Sequence, residues 1–169
     1  TIEGLGAAVM APVFCREFGF LKGIWYAVFH SVSAFCNAGF DLMGVRAAFS
    51  SLTTYAGQPV INLAIMFLIV FGGIGFLTWE DITVHGLHFK KYRMQSKVSL
   101  SVTGVLILIP AVYFYFCEFS KGAWADFSVP EKVLASMFQS VTPRTAGFNT
   151  VELTALTEAG QMMMIILML

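Results

Sequence analysis

The sequence predicts an all-α integral membrane fold made of repeated units, each a span, a short re-entrant helix and a second span. Three observations carry this. Hydrophobic residues make up 57 % of the 169 and charged residues only 12 %, against about 25 % charged in an ordinary soluble domain. Two stretches each run 20 residues without a charge, long enough to cross a bilayer as helices. A short Gly-containing motif also occurs twice, about one hundred residues apart. Mean hydropathy is +0.77, and 17 Phe and 9 Met stand beside a formal net charge of zero. That balance removes the electrostatic case for a nucleic-acid partner. Disorder, a disulfide scaffold and a polar-surfaced soluble enzyme are disfavoured on the same grounds.

The spans come first. Val60 to Trp79 and Val98 to Cys117 are the two uncharged stretches, and Pro110 predicts a kink in the second. Residues 4–15 and 159–169 read as partial spans. The chain opens on Thr1 without a basic leader and stops inside the apolar run Met162 to Leu169. Both ends are therefore expected to cut through helices of a longer chain. Between the full spans, residues 80–97 contain Lys90, Lys91, Arg93 and Lys97. Such a cluster in one short loop marks the cytoplasmic side. Residues 118–132 fit the outer side. Trp25, Trp79 and Trp124 fall near span ends, as in an aromatic belt.

Two further apolar segments, 23–36 and 131–142, are too short to span and suit buried or re-entrant helices. Their ends carry the duplication. Phe29-His30-Ser31-Val32-Ser33 matches Phe138-Gln139-Ser140-Val141-Thr142, and Asn37-Ala38-Gly39-Phe40-Asp41 matches Thr145-Ala146-Gly147-Phe148-Asn149. Six of eleven aligned pairs are identical, with Ala34 gapped, and Ser33/Thr142 is conservative. An even number of crossings separates the copies, so both lie on the face opposite the basic loop, the outer one. Span, short helix, Gly-containing stretch, span is the layout of a pore loop. The expected domains are one unit at 1–79, the cytoplasmic loop at 80–97 and a second unit at 98–169.

The chemistry of a pore loop requires these residue types. A dehydrating cation must find oxygens, which a filter supplies as backbone carbonyls. Gly39 and Gly147 tolerate the backbone angles that aim carbonyls at one axis, and the C-terminus of each short helix places partial negative charge nearby. The candidate cation ligands are therefore the carbonyls of Asn37, Ala38, Gly39, Thr145, Ala146 and Gly147. Phe40 and Phe148 complete the segments as wedges against neighbouring helices. A competing reading has Ala-Gly-Phe merely ending a helix.

Other residues carry two readings each. Arg144, beside the second segment, either braces it through carbonyls or an acid such as Glu152, or snorkels to the interface. Asp41 either concentrates cations at the mouth or is a solvated loop acid. His85 and His88 are spaced for a metal on a helix but have no third ligand in view. Gly72, Gly73 and Gly75 read as helix packing, the run Met162-Met163-Met164 as lipid-facing or core filler, and Cys15, Cys36 and Cys117 as small buried hydrophobes. No paired carboxylates, nucleophile–base pair or phosphate loop is seen, so no enzyme is expected, and no cofactor beyond a transported cation.

The two Gly-containing stretches, with Gly72-Gly73-Ile74-Gly75-Phe76 before the basic loop, resemble pore segments of the Trk/Ktr/HKT superfamily of potassium transporters, closest to the bacterial Ktr-type membrane subunit. Arg144 resembles an Arg of that family. The resemblance implies a K+-channel-like fold of four units around one path, of which this chain matches the second and third, truncated at both ends. It further implies potassium uptake, sodium-dependent or not, across the plasma (inner) membrane by a multi-pass protein with filters facing outside. The implied partners are the remaining units of the parent chain, a homodimer mate, a cytosolic nucleotide-binding regulatory ring and membrane lipid. Two filter segments of four cannot close a site, so the 169 residues alone are not expected to conduct. The alternative function is a non-conducting scaffold whose Gly-containing repeats only pack helices.

Overall fold

A computed structural model describes residues 2–45, 51–86, 88–120, 124, 127–144 and 146–168. The described residues are helical or irregular, with no strand among them. Helices α1 (Ile2–Phe18) and α2 (Phe20–Phe35) form a tight hairpin about Gly19. Ser31 on α2 donates through Oγ to the Glu3 carbonyl at 2.6 Å, and the α1 side chains Met10 and Phe14 are fully buried. Two 3₁₀ turns follow, Met43–Val45 and Thr53–Tyr55. Tyr55 donates its hydroxyl to Glu17 at the end of α1.

Helix α3 (Pro59–Gly73) starts with Pro at its first position, where the missing N–H costs nothing. Asn62 ties the preceding loop to it, donating through Nδ2 to the carbonyls of Tyr55, Ala56 and Gln58 at 2.9–3.0 Å. The expected span over 60–79 is not one helix. α3 ends at Gly73, and α4 (Phe76–His85) leaves at 97°. The break falls at Ile74-Gly75, where Gly75 takes φ +89°, outside helical geometry. Trp79 then folds back across the bend, its indole N–H donating to the Phe71 carbonyl at 3.1 Å with the rings 4.5 Å apart. Absence of charge licensed a span there, but the glycines decided where the helix stops.

Helix α5 (Met94–Tyr113) continues through a π turn at Phe114–Glu118, giving 25 residues from Met94 to Glu118. It is the one continuous helix among the described residues that is long and apolar enough to cross a membrane. It passes through Pro110, and the wider turn follows within a few residues, with the Phe119 N–H donating to the Phe114 carbonyl at 2.9 Å. Helix α6 (Val129–Val141) opens on a capping box, in which the Ser128 N–H and hydroxyl both donate to Glu131 at 2.8 and 2.7 Å. These bonds hold the Glu131 carboxyl below its ordinary range. Helix α7 (Glu158–Met168) ends the described chain.

Two buried carboxylates fasten helix starts. Glu118 is 2 % exposed and accepts from both the hydroxyl and the N–H of Thr157, just ahead of α7. Asp81 on α4 is 1 % exposed and accepts from the Arg93 N–H at 2.9 Å and the Ser96 hydroxyl at 2.6 Å. Arg93 also reaches Asp81 at 3.6 Å and Glu80 at 3.1 Å. Asp81 thus joins the first turn of α5, where partial positive charge favours an anion. The Ser96 hydroxyl bond leads the causes that hold its carboxyl below the ordinary range.

One apolar cluster (Met10, Phe14, Leu52, Tyr55, Ile65, Phe138 and Phe148 among others) draws on both halves of the chain, and a smaller one gathers Phe114, Phe119, Trp124 and Met164. Three expectations change here. Trp124 is a core residue, its ring 5.2 Å from Phe119, because its indole packs into the second cluster rather than facing outward. Cys36 and Cys117 are exposed and Cys15 half-buried, since Cys36 sits past the end of α2 and Cys117 on the outward side of the π turn. The Met run splits by helical phase, Met164 inward and Met162 outward.

Gly72 lets α3 come close to α2: an added Cβ there would lie 1.8 Å from the Phe35 carbonyl oxygen. Gly72→Ala must displace backbone, and a loss of about 1–3 kcal/mol is expected as lower yield and melting temperature of the detergent-solubilised protein. For Asp81, whose carboxyl is held below its unfolded value, the stabilisation is complete above the ordinary carboxylate range near pH 4. It is lost as pH falls through the depressed native value. Asp81→Asn should lower the melting temperature at neutral pH, and melting curves of mutant and wild type should converge under acid.

Candidate functional site

Helices α2 and α6 end in the same way. Past the last turn of α2, the Ala38 N–H donates to the Ser33 carbonyl at 2.9 Å; past α6, the Ala146 N–H donates to the Thr142 carbonyl at 3.1 Å. Each chain then enters a glycine in the left-handed region, Gly39 at φ +71° and Gly147 at φ +76°. Each turn is closed by a hydroxyl from its own helix: Ser33 Oγ donates to the Phe40 carbonyl at 2.7 Å, and Thr142 Oγ1 donates to the Phe148 carbonyl. The conservative Ser33/Thr142 pair therefore performs one task twice.

The two segments meet at their glycines. A Cβ on Gly39 would lie 2.3 Å from the Ala146 carbonyl oxygen and 3.1 Å from the Gly147 Cα, and one on Gly147 would lie 3.4 Å from the Gly39 Cα. No residue with a side chain fits at Gly39, because the obstructing atoms are backbone. Farther along, the Leu52 N–H donates to the Asn149 carbonyl at 2.9 Å and the Asn149 N–H to Ser51 Oγ at 3.2 Å. Residues 51 and 52 thereby hold the stretch that follows the second segment.

The sequence-named residues divide. Gly39, Ala146 and Gly147 meet at this contact; Asn37 and Ala38 precede it in the chain, with the Asn37 amide beside Gly73 on α3, while Thr145 lies outside the described residues. Asn37 is itself at φ +50°. Phe148 is fully buried, its ring 6.4 Å from that of His30 on α2, but Phe40 is 69 % exposed. The expected wedge exists for Phe148 alone, since the first half of the chain supplies a pocket for Phe148 and no described residue encloses Phe40. Asp41 shapes its loop, accepting from the Met43 N–H at 3.0 Å. Arg144 reaches α5, where Nη2 donates to Thr103 Oγ1 at 2.9 Å, and Glu152 accepts from Thr154. His88 bonds to the His85 carbonyl at 3.2 Å. A cavity of about 340 Å³ lies against Asn37, Gly73 and Arg144, and another of about 710 Å³ against Asn149, Thr150 and Glu152, on the far side of Gly147 in the chain.

Sequence reasoning missed the bond-forming roles of His30, Asn62, Asp81 and Glu118. For His30 a signal existed, since it is a mismatch (His against Gln139) inside an otherwise matched apolar helix.

The all-helical fold and paired glycine turns agree with a cation transport protein, and comparison with known proteins identifies the class. Residues 1–169 match the TrkH family, described as a cation transport protein, and the chain belongs to it. The potassium/sodium uptake protein NtpJ of Enterococcus hirae is 37 % identical over 167 residues, covering 99 % of this chain and 36 % of that protein. The Ktr system potassium uptake protein B of Vibrio alginolyticus is 34 % identical, covering 99 % and 36 %; that of Bacillus subtilis is 34 % identical, covering 99 % and 37 %. The chain thus spans somewhat more than a third of the length of the curated relatives it matches.

Removing one hydroxyl clasp leaves a Phe carbonyl without its partner. Thr142→Ala should cost about 1–3 kcal/mol, read as a lowered melting temperature of the full-length protein, and Thr142→Ser should recover most of it.

Proposed function

We propose that this chain forms part of the ion path of a potassium-uptake protein. In this reading residues 37–39 and 145–147 contribute backbone carbonyls to a selectivity filter, and the Phe40 and Phe148 carbonyls, held by the Ser33 and Thr142 hydroxyls, anchor it from behind. The observation that carries it is the matched pair of glycine turns. Two segments of related sequence take the same left-handed backbone, are closed by the same hydroxyl-to-carbonyl bond, and touch one another at the glycines. Each is preceded by a short helix, of 16 and 13 residues, whose C-terminus adjoins it, which places partial negative charge beside a cation. The relatives' names, potassium or potassium/sodium uptake, support the ion and leave room for sodium in the cycle.

The membrane arrangement belongs to the same proposal. Only 17 % of the apolar window of Met94–Glu118 is buried in the fold, and Leu108, Ile109, Val112 and Phe116 on it are each more than half exposed. A 25-residue helix spans about 37 Å, enough for a bilayer core of about 30 Å. α5 is then the first span of the unit at 98–169, α3 and the bent α4 close the unit at 1–79, and the loop 80–97 lies on the cytoplasmic side of the plasma membrane with the segments facing out. The rest of the parent chain completes the ring of filter segments. A second copy and a cytosolic nucleotide-binding ring are the further partners, and the word "system" in the relatives' names supports a multi-component assembly.

A second reading has one observation in its favour: the approach of Gly72 to the Phe35 carbonyl is the kind a packing scaffold needs. Rubidium uptake by the full-length parent chain, in cells stripped of their own potassium uptake and with regulatory partners co-expressed, separates the two. Gly147→Ser should weaken discrimination against sodium by about tenfold, a filter interaction of roughly 1.4 kcal/mol, with insertion intact. Unchanged selectivity in well-inserted Gly147→Ser protein, or no uptake by inserted wild type, would favour the scaffold.

A further inference from the structure

We propose that His30 is a positioning residue for the first filter segment, holding it from behind as a neutral imidazole bonded on both nitrogens. This rests on the filter reading of residues 37–39. His30 stands on α2 one turn before Ser33 and is fully buried. Its Nδ1 is 2.7 Å from the Tyr26 carbonyl oxygen, which can only accept, so Nδ1 carries the hydrogen. Its Nε2 is 3.4 Å from the Leu42 nitrogen, whose N–H can only donate, so Nε2 presents a lone pair. The two partners together admit one protonation state, the Nδ1–H tautomer.

Leu42 lies three residues past Gly39. With Ser33 holding the Phe40 carbonyl and Asp41 holding the Met43 N–H, the strand leaving the glycine is pinned at residues 40, 42 and 43. The imidazole is itself fixed, stacked on Phe14 at 5.4 Å and 29° and edge-on to Phe29 at 5.9 Å. The same ring lies 6.4 Å from Phe148 of the second segment. One side chain therefore touches α1, the backbone of the first segment and the aromatic anchor of the second.

The second copy supplies an internal comparison. Gln139 occupies the matching place and is fully buried, but its Nε2 points to Met164 Sδ on α7 at 3.0 Å. Its Oε1 has no hydrogen-bond partner, nor does the Oγ1 of Thr150, the counterpart of Leu42; both atoms are buried. The clasp is thus closed in the first copy and open in the second. An amide has the donor and acceptor to close it, which makes Gln the informative replacement for His30.

The test uses full-length transporter in the same rubidium assay with sodium as competitor. His30→Phe keeps an aromatic ring and deletes both hydrogen bonds; at normal membrane abundance it should lower the preference for rubidium over sodium about tenfold. His30→Gln should return it to within about threefold of wild type. Wild-type preference in inserted His30→Phe, or a His30→Gln as impaired as His30→Phe, would overturn the proposal. Should His30→Phe fail to insert, ¹⁵N NMR of histidine-labelled wild type decides, with the His30 signal assigned by its loss in His30→Gln. A hydrogen on Nδ1 with bare Nε2 supports the clasp, and an Nε2–H tautomer or an imidazolium overturns it. Selectivity lost in Gly147→Ser but kept in inserted His30→Phe removes the clasp and leaves the filter reading standing. Selectivity kept in both removes both.

Discussion

The fold is organised around a place where two backbones touch without side chains between them. Gly39 and Gly147 approach so closely that a single methyl at Gly39 would collide with the Ala146 carbonyl. Glycine at these positions is required twice over, by the left-handed backbone and by the space. Everything around the contact holds it in register: hydroxyls from α2 and α6 on the Phe carbonyls behind each glycine, the loop at residues 51–52 on Asn149, and Phe148 in the core shared by both halves. These bonds leave the backbone on either side of the contact little freedom to move, which is the preorganisation that the proposed filter role requires.

The chain also shows how an apolar sequence spends its few charges. Asp81 and Glu118 are almost wholly buried, and each faces the start of a following helix, accepting backbone N–H and side-chain hydroxyl bonds from it. A buried carboxylate is costly unless so bonded. Here each one satisfies N–H groups that a helix start leaves orphaned, and each fixes where the next helix begins. The same economy appears in Asn62, whose single amide nitrogen serves three carbonyls of the loop ahead of α3.

The two copies of the motif are alike where the backbone must be alike, and differ in what surrounds them. Ser33 and Thr142 carry the same bond, yet Phe148 is enclosed and Phe40 is not, and His30 closes a bond that Gln139 leaves open. Duplication supplies a common turn; the neighbours of each copy then make it specific.

Much was legible in the residues themselves. Low charge, long apolar runs and the duplicated motif led to an all-helical chain, the short helices at 23–36 and 131–142 emerged as α2 and α6, and the family followed from the Gly-containing stretches. These features are local: composition, run length and a glycine's backbone freedom are properties of the chain before it folds. The break at Ile74-Gly75, the burial of Trp124, the exposure of Phe40 and the bonds of His30, Asp81 and Arg144 were not legible. Each depends on which distant segment arrives beside the residue. An uncharged run does not say where a helix turns, and a polar residue does not name its partner. Tertiary structure decided those, because hydrogen bonds and close contacts are made between places in space that the order of residues leaves unspecified.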